Sequence, residues 1–142
     1  MKIFLDTPSL IKLYHEEVGT DYLDSIFEDF KITNVYLSEL AKVEYNSAIM
    51  KKVRTKELTE DEAKDLIDSF ENDYQKYSFI SIDNVLIQHA KELVAKYGLK
   101  GLRTLDSSQL ASVIEAKTDL DFAVTADDLL KSLIQLEGIG TK

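Results

Sequence analysis

Lys2-Ile3-Phe4-Leu5-Asp6-Thr7 is the stretch on which the fold turns. Three apolar residues run straight into a carboxylate and then into a helix-start signal, the pattern of a buried strand that delivers Asp6 to its carboxyl end. In open parallel α/β sheets ligands gather in the crevice beyond the carboxyl ends of the strands, so an acid placed there carries functional weight. Thr7 can cap the helix that follows, and Pro8 fits the first helical position, where its missing N–H has no partner to lose. With Thr7 in the capping role, Asp6 is left free for chemistry.

Working outward, the first helix is predicted to run to about Tyr14. Thr20 is expected to cap a second, in which Leu23, Ile26, Phe27 and Phe30 recur on one face with acids on the other. Ile32–Leu37 reads as a short strand, and Ser38-Glu39 opens a helix carrying Leu40, Val43, Ser47 and Met50, with Glu44 in its second turn. Thr59-Glu60-Asp61-Glu62 is a capping box, continued by Ala63, Leu66, Ile67, Phe70 and Tyr74 at helical spacing. Phe79–Ile82 is a third strand. Asp83 then caps a helix bearing Leu86, Ala90, Leu93, Val94 and Tyr97, which Gly98 ends. Thr104 caps the next, with Asp106 in its first turn and Leu110, Ala111, Val113 and Ile114 along one side. Phe122–Thr125 is the fourth strand, Asp127 and Asp128 lead a last helix to about Leu136, and Gly138–Lys142 is a tail or a short edge strand. Strands alternating with helices imply a three-layer α/β/α sandwich with a short parallel sheet flanked by helices.

The 142 residues, 44% of them hydrophobic, suit one domain over 1–142 with a single substantial core. No long apolar run and no basic-then-apolar leader is present, so neither a membrane span nor a secretory signal is expected, and the chain reads as cytoplasmic. The absence of cysteine excludes disulfides, thiolate zinc sites and cysteine nucleophiles, and two histidines cannot build an imidazole-rich metal site. Any metal is therefore held by oxygen, which suits Mg²⁺ or Mn²⁺. The net charge of −9 is segregated: residues 57–73 carry −7 and residues 16–29 carry −6, which leaves +4 over the remainder. Within that remainder Lys51, Lys52 and Arg54 form a compact basic run and Arg103 belongs to a looser one, both candidates for phosphate contact.

Asp6, Glu44, Asp106 and Asp127 stand where this architecture can bring them together. Clustered carboxylates repel unless divalent cations neutralise them, so an acid cluster at a strand-end crevice implies a metal. Mg²⁺ keeps open positions for a substrate phosphate and can serve both the attacking and the leaving oxygen of an in-line displacement, which is phosphodiester hydrolysis. A second possibility is an aspartate-nucleophile phosphatase centred on Asp6, although such sites place another Asp two residues on, where this chain has Pro8. Asp83 also ends a strand but reads as a helix cap.

Four stretches taken together resemble the PIN-domain ribonuclease family, most closely its VapC-like toxins. Phe4-Leu5-Asp6-Thr7 with Leu10-Ile11-Lys12-Leu13-Tyr14 is similar to the family's opening strand and helix. Ser38-Glu39-Leu40-Ala41-Lys42-Val43-Glu44 resembles the segment of its second acid. Leu102 to Ala111, containing Thr104-Leu105-Asp106-Ser107, resembles the segment of the third, and Val124-Thr125-Ala126-Asp127 that of the last. The resemblance implies an Mg²⁺- or Mn²⁺-dependent endoribonuclease with Asp6, Glu44, Asp106 and Asp127 as catalytic and metal-binding residues and Thr7, Ser9, Thr125 and Asp128 in support. It also implies a homodimer and a cognate antitoxin protein that inserts near the acids. Pro8 stands where the family commonly has a small polar residue, and Ser9 is the nearest replacement for that hydroxyl. A catalytically silent PIN-like module that binds RNA or protein is the alternative.

Overall fold

The computed structural model describes residues 1–142. Strands β1 (Lys2–Leu5), β2 (Asn34–Ser38), β3 (Tyr77–Ile80) and β4 (Phe122–Val124) form one parallel sheet in the order β3-β2-β1-β4. The helices are α1 (Thr7–Ile11), α2 (Thr20–Asp29), α3 (Ala41–Arg54), α4 (Glu60–Asn72), α5 (Asn84–Tyr97), α6 (Thr104–Glu115) and α7 (Asp128–Leu136). Ile3 and Leu5 join Val35, Leu37, Phe122 and Val124 beneath residues from α1 to α4, while Phe4 and Ala123 pack with residues from α5, α6 and α7. The expected three-layer α/β/α sandwich forms, and burial on both faces is why Ile3, Phe4 and Leu5 of β1 are apolar in succession rather than alternating.

From β1 the sheet grows outward through β2 and β3, and the chain then returns to lay β4 on the other side of β1. Strand order therefore reverses between β1 and β4. That switch point is where such sheets open a crevice, and Asp6 and Thr125 follow directly from its two strands.

Tertiary packing moves several boundaries away from the sequence expectation. α1 ends at Ile11, not near Tyr14, because Tyr14 is drawn into an aromatic cluster around Phe70 and bonds through its hydroxyl to Asp73 and Tyr77. β2 and β3 are shifted, since Val35 to Ser38 pair with Tyr77 to Ile80, and β4 stops at Val124. α3 buries Ala41, Tyr45 and Ile49, whereas Val43 and Met50 are 67% and 43% exposed. Tyr45 lies at the centre of this face. Its ring is fully buried and its hydroxyl donates to the Leu66 carbonyl at 2.9 Å, which is how a buried Tyr is satisfied. Glu44 consequently lies in the first turn of α3, not the second.

Caps shift by one residue in three places. Asp6, not Thr7, caps α1; Gly19 with φ +92° precedes α2, and Thr20 lies inside it. Arg103 precedes α6, and the carbonyl of Thr104, already helical, accepts from the hydroxyls of Ser107 and Ser108. Gly98 keeps a right-handed conformation and starts a short turn that Gly101, with φ +108°, reverses. Asp83 and Thr59 cap as expected, the latter in a complete capping box with Glu62. Thr59→Ala is expected to cost about 1 kcal/mol, read as a lower midpoint in urea unfolding. In the tail, Thr141 bridges Ala123 at the β4 edge.

Candidate active site

Asp6 sits at the carboxyl end of β1, 3% exposed, with both carboxylate oxygens engaged. Oδ1 accepts the Ser9 N–H at 2.9 Å and Oδ2 accepts the hydroxyl of Thr125, across the switch point from β4. Asp6 therefore caps α1 from the carboxyl end of β1, beside the switch point. Thr125 is itself fixed, because its Oγ1 accepts the Asp127 N–H at 3.1 Å. Asp127 caps α7 by accepting the Leu130 N–H at 2.7 Å. The Ser9 hydroxyl donates to the Val124 carbonyl at 3.4 Å and also acts on the Asp6 carboxylate beside it.

Glu44 reaches the site from α3 and is held by a residue to which the sequence reading gave no role. Gln109 of α6 donates through Nε2 to Glu44 Oε1 at 2.9 Å and to Thr7 Oγ1 at 3.2 Å, tying three helices together. Its own Oε1 is buried without a donor. The available signal was polarity at core positions: Ser107, Ser108, Gln109 and Ser112 interrupt the buried run Ser107–Val113. Buried polar groups require partners, so a Gln inside such a run points to something it must bind.

Burial pushes the carboxyl of Asp6 above its usual range, against the lowering effect of the Ser9 and Thr125 hydrogen bonds and of nearby Lys12. Burial likewise raises Glu44, opposed by Gln109 and Thr7 and reinforced by the charges of Asp106 and Asp6. Asp106 is raised by burial and by Asp127 and Asp6, with Arg103 partly compensating. These repulsions link all four acids, from four separate elements, into one electrostatic cluster.

No three acidic or imidazole groups close into a ready-made ion cage. The residues nevertheless fit a hard divalent cation. The donors are all oxygen, Gln109 offers a buried acceptor with no donor, and the carboxylates disfavour one another's ionisation, a cost that a cation would relieve. A pH dependence follows for metal-free protein. The folded state holds protons on these acids that the unfolded chain, with ordinary values of 3.8 and 4.5, has lost. Stability therefore falls as pH rises from the ordinary range through the raised one, and is recovered as pH falls back through it. Thermal melts in EDTA across pH 7 to 5 check the sign, and Asp106→Asn is expected to flatten the trend.

The basic candidates lie apart from this centre. Lys51, Lys52 and Arg54 occupy the last turn of α3, about 10 to 15 Å along the helix from Glu44 at about 1.5 Å per residue. Lys52 is clamped between Glu17 and Glu57, which leaves Lys51 and Arg54 exposed. Arg103 is exposed beside Asp106, and Asp128 is exposed in the first turn of α7.

A doubly wound parallel sheet with acids from four elements around its switch point defines a strand-end acidic site on an α/β/α fold. The PIN domain family profile matches residues 3–133, and the chain belongs to that family. Solved structures with this fold include VapC20 of Mycobacterium tuberculosis, described as a sarcin-ricin loop cleaving toxin. It is 14% identical over 92% of this chain and 93% of that one, with a TM-score of 0.69. FitAcB from Neisseria gonorrhoeae is 15% identical over 98% and 95%, with a TM-score of 0.66. VapBC2 from Rickettsia felis, bound to a DNA fragment from its promoter, is 14% identical over 100% and 98%, with a TM-score of 0.63. At these identities the likeness is one of fold. Compared by sequence with curated proteins, the chain has no match. No helix is long and apolar enough to cross a membrane.

Proposed function

We propose that the chain is an Mg²⁺- or Mn²⁺-dependent endoribonuclease that hydrolyses RNA phosphodiester bonds in the cytoplasm as the toxin of a toxin–antitoxin pair. The observation that carries this reading is the convergence of Asp6, Glu44, Asp106 and Asp127 at the β1/β4 switch point with mutual repulsion that Lys12 and Arg103 only partly offset. A bound divalent ion would supply positive charge to the phosphate in the transition state and acidity to the attacking water. The protein's part is positioning. Ser9 and Thr125 hold Asp6 by its two oxygens, Gln109 holds Glu44, and the α7 cap holds Asp127. Asp106 accepts no comparable bond and is the acid most free to turn toward a ligand.

Purified chain is expected to cut single-stranded RNA with Mg²⁺ or Mn²⁺ and not with EDTA; RNA binding with no turnover in either would favour the silent module. Gln109→Met keeps the volume and leaves Glu44 unheld. It is expected to lower kcat about ten- to a hundred-fold, the range for residues that orient metal ligands, in single-turnover cleavage. A homodimer and an antitoxin partner complete the proposal, and exposed Val43 and Met50 on α3 with Val85 and Ile87 on α5 offer apolar surface for such contacts.

A further inference from the structure

A cavity of about 160 Å³ is lined by Ser9, Lys12, Gly19, Thr125, Lys131 and Lys142 among others, and by none of the four acids. Its chemistry is opposite to that of the acid cluster. Six lysines of this chain, Lys2, Lys42, Lys52, Lys64, Lys76 and Lys96, are taken up in ion pairs. Lys12, Lys131 and Lys142 are in none, although each is half-buried. Three half-buried lysines in no ion pair thus line one cavity, against the single carboxylate of Asp128 in its wall, in a chain of net charge −9.

Each lysine is placed by local structure. Lys12 follows α1, and its ammonium lies against Gly19, where a Cβ would come within 3.3 Å of Nζ. Gly19 also has φ +92°, so a side chain there is both crowded and strained. Lys131 rises from α7. Lys142 is anchored by its backbone N–H on the Ala123 carbonyl at 3.0 Å, and its Nζ stands 4.5 Å above the Phe30 ring. The volume has room for several waters and so for a phosphate group.

The cavity is joined to the acid site through shared residues. Thr125 lines it while donating to Asp6, and Ser9 lines it while its N–H holds the other Asp6 oxygen. A polyanion that reaches four carboxylates needs positive charge beside them, since strand affinity is carried by Lys and Arg. We infer that this cavity binds a backbone phosphate of the RNA strand adjacent to the one that is cleaved. The inference rests on the ribonuclease reading and adds a subsite to it.

Fluorescence anisotropy of a short single-stranded oligoribonucleotide in EDTA, over a range of salt, tests it without any cleavage. Lys131→Gln with Lys142→Gln is expected to weaken binding about ten-fold and to reduce the slope of log affinity against log salt by roughly 0.7 for each lost phosphate contact. Lys64→Gln with Lys76→Gln removes the same charge from solvent-facing sites and is expected to change the slope little. Equal effects of the two pairs, no binding by the unaltered chain, or equal binding of a poly-glutamate peptide lost with the same lysines would overturn the inference. Saturation by inorganic phosphate at micromolar concentration with no effect on the strand would also overturn it, in favour of a free-anion site. Cleavage is scored separately with Mn²⁺. Lysine-dependent binding without cutting would keep this subsite and remove the nuclease reading; cutting with unchanged KM and salt dependence in the Lys131/Lys142 variant would do the reverse.

Discussion

Asp6→Asn is expected to reduce metal-dependent RNA cleavage roughly a thousand-fold or more, a loss of about 4 kcal/mol of transition-state stabilisation, while the chain stays folded. The two halves of this expectation come from the same geometry. Asn remains a good helix cap, so Oδ1 can still accept the Ser9 N–H. The amide can keep a bond to Thr125 with the hydroxyl rotated into the accepting role. What is lost is the charge at the centre of the cluster, the only acid in contact with both the α1 cap and the β4 end. Removing a buried carboxylate also relieves the cost of ionising it, so the metal-free variant should melt no lower than the parent at neutral pH. Single-turnover cleavage and thermal melts on the same preparation read both halves; cleavage at the parent rate would remove Asp6 from the chemistry.

Metal removal is the second large effect. EDTA should abolish cleavage, and saturating Mn²⁺ should stabilise the parent by about 2.7 kcal/mol at a hundred times its dissociation constant, a rise of several degrees in melting temperature for a chain of this size. The gain should shrink as pH falls, because the ligands must be ionised and Asp6, Glu44 and Asp106 are all raised. Metal-free protein has the opposite slope and becomes more stable on acidification. Convergence of the two stability curves on acidification is therefore the signature, and Asp106→Asn should narrow the gap between them.

Much of this was legible in the residues because strong local signals agreed with the global fold. Ile3-Phe4-Leu5 is apolar on both faces, which only a sheet covered on two sides requires, and Asp6 follows at once. The Thr59 box, the Asp83 cap and the Asp127-Asp128 start lie where local capping chemistry puts them. What failed was decided by contacts distant in sequence. The early end of α1 depends on Tyr14 meeting Asp73 and Tyr77, and the buried face of α3 depends on Tyr45 finding the Leu66 carbonyl. Gln109 was readable only as polarity in the wrong place, since its partners Thr7 and Glu44 are 102 and 65 residues away. The lysine-lined cavity had no local signature, because Lys12, Lys131 and Lys142 belong to three separate elements that only the fold assembles.

Anomalous diffraction from crystals grown with Mn²⁺ tests the central claim most directly. A peak is expected at about 2.1 Å from an oxygen of Asp6 and from at least one of Glu44, Asp106 and Asp127. Manganese bound elsewhere, with these four carboxylates empty in protein that still cuts RNA, would contradict it.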